Sequence, residues 1–190
     1  MRKSATLRLL LLGTIAATAI GGLTLPASGQ PVPMYVDVYD LVPGSPLIYT
    51  QYDTRNYLDI RSTTRGETTP AGMKRVVMGL QIPLGYDLTG VRVCYAVNLR
   101  TSVGAEPTSF ISQIRLAQLT TPPGAALVKH DERLEPGSNP ICIDSFLRSP
   151  PFRIDPLLGA IELSLRVNFG RIEDVITVSM VGLYLLRGAR

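Results

Sequence analysis

The chain has 190 residues, of which 45% are hydrophobic and 18% charged, and its formal net charge is +4 at pH 7. A chain of this length forms one ordinary domain with a substantial buried core. Its 17 glycines and 15 prolines exclude an architecture of long helices, because proline interrupts a helix wherever it falls inside one.

The N-terminal 29 residues have the layout of a secretory signal peptide. A basic stretch, MRKSATLR, precedes an uncharged apolar run, and the small residues Ala27 and Gly29 suit a signal peptidase. An uncleaved membrane anchor is the alternative, because the run from Leu9 to Ala27 approaches the roughly 20 residues that span a bilayer. We expect a signal peptide over 1–29 and one secreted or periplasmic domain over 30–190, with no further membrane span.

Cleavage at this point changes the charge of the protein. It removes Arg2, Lys3 and Arg8 but no acidic residue, which leaves 16 basic and 15 acidic residues and a net charge of +1. Nucleic-acid binding needs lysine and arginine clustered over one surface. The composition therefore predicts no nucleic-acid partner.

Three runs between residues 34 and 60 predict short strands, because turn-forming stretches separate them. Their sequences are MYVDVYD, PLIYTQY and NYLDI. In the first run, period-two geometry puts Tyr35, Asp37 and Tyr39 on one face of a strand. The polar stretch that follows, STTRGETTPAG over 62–72, has no apolar periodicity and predicts an exposed loop.

The middle of the chain is also typical of strands joined by turns. Apolar residues recur in short runs, and prolines and glycines lie between them. The predicted strands are Val76 to Ile82, Gly90 to Asn98, 108–120, Ala126 to Lys129, and 141–147.

The strongest pattern is near the C-terminus, where five apolar residues from Ile161 to Phe169 alternate with polar ones. A turn at GRIED leads into VITVSMVGLYLLR, so we expect these two segments to pair as an antiparallel hairpin. The last strand is apolar on both faces by period-two counting. Either another part of the chain or a second copy in a homo-oligomer then covers one face, formed by Ile176, Val178, Met180 and Tyr184.

Eight to ten short strands without helices predict an all-β fold. We expect a single antiparallel β-sandwich with jelly-roll or immunoglobulin-like connections.

Cys94 and Cys142 each lie within a predicted strand, on the face opposite to its most apolar residues. In GVRVCYAVN the valines share one face and Cys94 lies on the other, and in NPICIDS Cys142 points away from the two isoleucines. An exported protein meets an oxidising compartment, so we expect a Cys94–Cys142 disulfide. A reactive thiol would need a nearby base or a CxxC pair, and neither is present.

No sequence motif identifies a catalytic or metal site. His130 is the one histidine, in the charged stretch VKHDERLEPG, and no GxSxG accompanies it. The acids Asp131, Glu132 and Glu135 match no calcium-loop spacing, and one histidine with two oxidised cysteines leaves no zinc set. We predict no cofactor and no metal, and a small secreted hydrolase that uses His130 or a pair of acids stays open as an alternative.

Tyrosine is the one compositional bias with functional content. Its rings combine apolar area with a polar tip, and beside amide and acid groups they suit sugar rings or a protein partner, although tyrosine also simply favours strands. The sequence therefore predicts a non-catalytic binding or structural protein, with a carbohydrate-binding module as the alternative. The candidate binding residues are five tyrosines within 23 residues: Tyr35, Tyr39, Tyr49, Tyr52 and Tyr57.

Overall fold

The computed structural model describes residues 30–69, 72–98, 109–119, 125–130 (backbone only), 140–147, 151–155, 157 and 159–188. The predicted signal peptide lies outside these residues. Within these ranges, no helix is long and apolar enough to cross a membrane. The described strands are β1 Val32–Val36, β2 Val42–Pro43, β3 Ile48–Asp53, β4 Tyr57–Ser62, β5 Thr68–Thr69, β6 Gly72–Met73, β7 Arg75–Leu80, β8 Tyr86–Asn98, β9 Phe110–Leu119, β10 Ala125–His130, β11 Ile141–Phe146, β12 Phe152–Arg153, β13 Ala160–Asn168 and β14 Val175–Arg187.

Two antiparallel sheets form a β-sandwich, which confirms the predicted fold class. One sheet has seven strands in the order β11-β8-β14-β4-β3, with β1 also paired to β14 and β12 to β8. The other has five strands in the order β10-β9-β13-β7-β2. Among the described strands, the chain changes sheet eight times: between β1 and β2, β2 and β3, β4 and β7, β7 and β8, β8 and β9, β10 and β11, β12 and β13, and β13 and β14.

Aliphatic side chains from both sheets fill the space between them. The predicted alternation in β13 is confirmed, since Leu163, Leu165 and Val167 are fully buried while the polar residues between them are partly exposed. Tyr95 and Phe169 are the largest aromatic side chains in this core. The other strands contribute Leu58, Ile60, Val76, Met78, Val91, Val93, Val97, Ile114, Leu116, Ile176, Val178, Val181 and Leu183.

The predicted hairpin between the last two strands is wrong. Strand β13 pairs with β7 and β9, whereas β14 lies in the opposite sheet and pairs with β1, β4 and β8. The two strands therefore lie in opposite sheets, on either side of the core, and are not paired edge to edge. Alternation predicts which side of a strand is buried, but it does not choose the neighbouring strand.

The predicted oligomer face on β14 does not exist as one face. A β-bulge shifts the register between Val178 and Met180, so the parity of the strand changes at Ser179. Ile176 and Val178 therefore point into the core with 0% exposure, and only Met180 and Tyr184 of the predicted set lie on the outside. The predicted face was wrong because period-two counting assumed a regular strand through Ser179, where the bulge lies.

The first strand is shorter than the sequence predicts. Strand β1 ends at Val36, and the Asp37 carboxylate accepts a hydrogen bond from the backbone N–H of Tyr39 at 2.9 Å. This contact caps a single 3-10 turn over Val38–Asp40. Tyr35 and Tyr39 therefore do not share a strand face.

The Cys94–Cys142 disulfide is confirmed, with a sequence separation of 48. The cysteines are direct register partners on β8 and β11. Both lie on the outer side of the seven-stranded sheet, as the sequence pattern predicts. The bond therefore joins the edge strand β11 to its neighbour β8.

A buried lysine, Lys74, lies two residues beyond the stretch predicted as an exposed loop over 62–72 and anchors it. The ammonium of Lys74 donates hydrogen bonds to the backbone carbonyls of Thr64, Arg65 and Gly66, at 2.6, 2.8 and 2.8 Å. Lys74 itself has 0% exposure. Gly66 also exchanges backbone hydrogen bonds with Phe169, which fixes the stretch to the sandwich.

Candidate binding site

The outer face of the seven-stranded sheet carries two adjacent cross-strand rows near one end. The first row runs through direct register partners from Tyr35 on β1 to Gly182 on β14, Arg92 on β8 and Asp144 on β11. Residues that are directly opposite on neighbouring strands lie on the same face, so these side chains are neighbours.

The second row lies one step further along the same strands. It joins Pro33, Tyr184, Gly90 and Phe146 through direct register partners. Each row thus has a glycine in one of its two central strands and an aromatic residue beside that glycine.

The two glycines allow the neighbouring aromatic rings to approach the backbone of the sheet closely. A Cβ atom at Gly182 would be 3.3 Å from two ring atoms of Tyr35, and one at Gly90 would be 2.8 Å from a ring atom of Phe146. A ring in such a position covers bare backbone and turns its other face outward. Tyr35 and Phe146 are each 58% exposed, so these outward faces are accessible.

Tyr184 connects the two rows. Its ring packs against Phe146 with centroids 5.0 Å apart, and its hydroxyl donates to the Asp144 carboxylate at 2.9 Å. The Arg92 guanidinium also lies 5.7 Å from the centre of the Tyr184 ring. We call the set of Tyr35, Arg92, Asp144, Phe146 and Tyr184 the aromatic platform.

A bidentate ion pair holds the platform in place. Nε and one terminal nitrogen of Arg92 donate to the two carboxylate oxygens of Asp144, each at 2.7 Å. The hydrogen bonds from Arg92 hold the pKa of Asp144 below its usual value. Burial and the hydrogen bond to Asp144 raise the pKa of Tyr184. Both groups therefore keep fixed protonation states near neutral pH, Asp144 ionised and Tyr184 protonated.

A polar groove of about 440 Å³ lies near the other end of the same face. Its lining includes Asp53, Tyr57, Asp59, Asn98 and Thr177. The Thr177 hydroxyl donates to the Asp59 carboxylate at 2.7 Å, which orients that carboxylate. Arg92 and Asn98 lie six residues apart on β8, so roughly 20 Å of sheet separates the platform from the groove.

The structure does not gather the five predicted tyrosines into one surface. Tyr35 belongs to the aromatic platform, Tyr57 lines the polar groove, and Tyr49 lies opposite Arg61 on the outer face of edge strand β3. Tyr39 and Tyr52 pack edge to face with ring centroids 4.8 Å apart. The Tyr52 hydroxyl donates to the backbone carbonyl of Tyr39, so this pair fastens the 3-10 turn to β3.

The remaining candidate residues lie at the edge of the described part of the chain or outside it. His130 is the last residue of β10, and Asp131, Glu132 and Glu135 lie outside the described residues. No group of three or more His, Cys, Asp or Glu side chains that could hold a metal ion occurs in the described ranges.

Sequence reasoning missed most of the platform. Arg92 and Asp144 are 52 residues apart, and only the strand order brings them together. A signal was nevertheless present in the glycines inside two strands, Gly90 and Gly182, since such glycines mark a close approach of another group.

No known family model matches this sequence, and no curated protein matches it. Among solved structures, a putative sugar binding protein from Bacteroides thetaiotaomicron has a TM-score of 0.47 at 7% identity, over 77% of this chain and 86% of that one. Carbohydrate-binding modules of the β-sandwich superfamily give 0.45 at 12% identity, over 83% and 57%. A Stig cyclase from Fischerella sp. TAU gives 0.44 at 12% identity, over 88% and 94%. At these TM-scores the similarities assign neither a family nor a function.

Proposed function

We propose that this protein is an exported, non-catalytic binding protein whose aromatic platform takes up a carbohydrate. The observation that carries the proposal is the pair of exposed rings, Tyr35 and Phe146, that lie against the sheet beside the Arg92–Asp144 ion pair. A flat apolar surface next to fixed polar groups matches a sugar ring, which has apolar C–H faces and a rim of hydroxyls.

The fixed geometry of the platform favours binding over a merely structural role for these rings. Arg92, Asp144 and Tyr184 hold one another through three hydrogen bonds of 2.7 to 2.9 Å. A surface that is already ordered loses little conformational entropy when a ligand arrives. This arrangement leaves the outer faces of Tyr35 and Phe146 free to contact a ligand.

The polar groove extends the proposed site. It lies on the same outer face, and its Asp53, Asp59 and Asn98 side chains offer acceptors and donors for hydroxyl groups. A separation of roughly 20 Å suits a polymer better than a single sugar. We therefore expect an oligosaccharide or a polysaccharide chain that runs along β8 from the platform to the groove.

Export is the second part of the proposal. The Cys94–Cys142 disulfide supports it, because disulfides persist in the oxidising compartments outside the cytoplasm. The N-terminal sequence pattern supports it independently.

The test is retention on a panel of neutral polysaccharides in native affinity gels, with β-glucan, mannan, xylan and starch as probes. We expect Tyr35→Ala and Phe146→Ala each to weaken binding about tenfold, since each removes an aromatic contact at the centre of the site. Thermal unfolding of each variant checks that the fold is intact.

Tyr49→Ala is the matched control, because Tyr49 is 47% exposed on the same sheet but lies on edge strand β3, outside the platform. Its retention should equal that of the wild type. Failure of the wild type to bind any of the four probes, or an equal loss in all three variants, would overturn the proposal.

A further inference from the structure

The outer face of the five-stranded sheet contains a second groove, on the opposite side of the sandwich from the aromatic platform. Its volume is about 370 Å³, within the range of ligand sites. Strands β7, β9 and β13 form its floor, and the two short strands that precede Lys74 border it at Met73. Arginines from all three floor strands line it, namely Arg75, Arg115 and Arg166.

The register of the strands brings two of these arginines together. Arg166 on β13 is the direct register partner of Arg75 on β7. Like charges that are directly opposite across strands repel each other. The Glu67 carboxylate forms an ion pair with Arg166, and the Arg166 Nε also donates to the Ser112 hydroxyl at 3.1 Å. Glu67 therefore offsets one of the two positive charges.

The other two guanidinium groups have no acidic partner among the residues that the structure describes. Nε of Arg115 is buried, and within the same residues it has no hydrogen-bond partner. A buried N–H without an acceptor is costly in a folded protein. Arg115 also lines the groove, so its guanidinium can donate to the carboxylate of a ligand bound there.

We propose that this groove binds a carboxylate-bearing polysaccharide, in which Arg75 and Arg115 contact separate uronate groups. The two residues lie two strands and two residues apart, so their Cα atoms are separated by roughly 12 Å. An extended ligand with repeated carboxylates can therefore contact both. Arginine suits this ligand because its planar fork matches the two oxygens of a carboxylate.

The rest of the lining favours a sugar over other anions. Gln113, Ser164 and Glu162 lie among the arginines, and they can exchange hydrogen bonds with hydroxyl groups. A concave groove also fits a single chain better than a flat membrane surface.

This inference goes beyond the proposed function and is independent of it, because the two sites share no residue. The test uses native affinity gels at physiological salt with three uronate polymers, polygalacturonate, alginate and hyaluronate. A methyl-esterified form of each polymer is the matched neutral probe. We expect retention by at least one acidic polymer and little retention by its ester.

The variants separate the site from general charge effects. Arg75→Gln and Arg115→Gln should each weaken retention about tenfold or more, because each removes a charge-assisted contact. Glu162→Gln should strengthen it, which no unfolded variant can imitate. Arg187→Gln removes an exposed arginine from the other sheet and should leave retention unchanged.

Several results would overturn the proposal. These are equal retention by acidic and esterified polymers, no retention by any of the three, or stronger retention by dextran sulfate or a DNA oligomer. Tyr35→Ala should leave uronate retention intact, so a failure of the aromatic platform as a site and a failure of this groove give different results.

Discussion

Replacement of Lys74 by methionine tests the anchor that holds the stretch after β4 against the sandwich. Methionine keeps an unbranched stem of similar length but removes the ammonium group. The carbonyls of Thr64, Arg65 and Gly66 then lose their common donor. The ring of Phe169, whose centre lies 5.9 Å from the ammonium, loses a cation contact.

The size of the effect follows from two opposed terms. Three hydrogen bonds from a charged donor contribute about 1.5 kcal/mol each at the low end of their range, or about 4.5 kcal/mol together. Burial lowers the pKa of Lys74, which reports the cost of desolvating its charge, and the substitution removes this cost. We expect the variant to lose about 3 kcal/mol of unfolding free energy, and its Tm to fall by about 10 °C.

Urea unfolding and native-state hydrogen exchange provide the measurements. The backbone N–H groups of Gly66 and Lys74 donate to Phe169 and Glu67, so their exchange should accelerate more than that of core strand β8. Arg187→Met is the control, because it removes an exposed cation at the end of β14 and should change stability by less than about 0.5 kcal/mol. A loss in Lys74→Met no larger than in this control would refute the reasoning.

Two further predictions concern the outer face of the seven-stranded sheet. The pKa of Asp144 is lowered from 3.8, so its contribution to stability is complete above that value and disappears as the pH falls through the folded-state pKa. Asp144→Asn should therefore destabilise the protein in urea unfolding at about pH 7 but hardly at about pH 2, and an equal cost at both pH values would contradict this. Replacement of both Cys94 and Cys142 by alanine should lower the unfolding free energy by about 4 kcal/mol, since the bond closes a loop of 48 residues. Treatment of the wild type with a reductant should produce the same loss, and an unchanged midpoint would count against a stabilising role.

Much of the fold could be predicted from the sequence because burial on one face leaves a local pattern. The alternation in β13 and the position of Cys94 opposite the valines of β8 both follow from period-two geometry. The partner of each strand could not be predicted, as the failed hairpin between β13 and β14 shows. Pairing depends on how the two apolar faces meet in space, and no short stretch of sequence records this.

The candidate site was predictable only in part, for the same reason. The sequence identifies Tyr35 only as one of five clustered tyrosines. Its role in the platform depends on Gly182, which lies far along the chain and contacts the Tyr35 ring. No sequence pattern predicts the buried position of Lys74, because a lysine beside a polar stretch is normally exposed. In both cases the contacts of the residue depend on how the chain folds in space, and no local sequence pattern records them.

One backbone irregularity connects the core to the proposed platform. In an unbroken strand, residues that continue the parity of Ile176 and Val178 would all face the core, and these include Gly182 and Tyr184. The bulge at Ser179 reverses this parity, so that Val181 and Leu183 are buried while Gly182 and Tyr184 face outward. The Ser179 hydroxyl donates to the backbone carbonyl of Cys94 at 3.2 Å, which ties the bulge to β8. The period-two prediction did not include this bulge at Ser179. The bulge places Val181 and Leu183 in the core and Tyr184 on the aromatic platform.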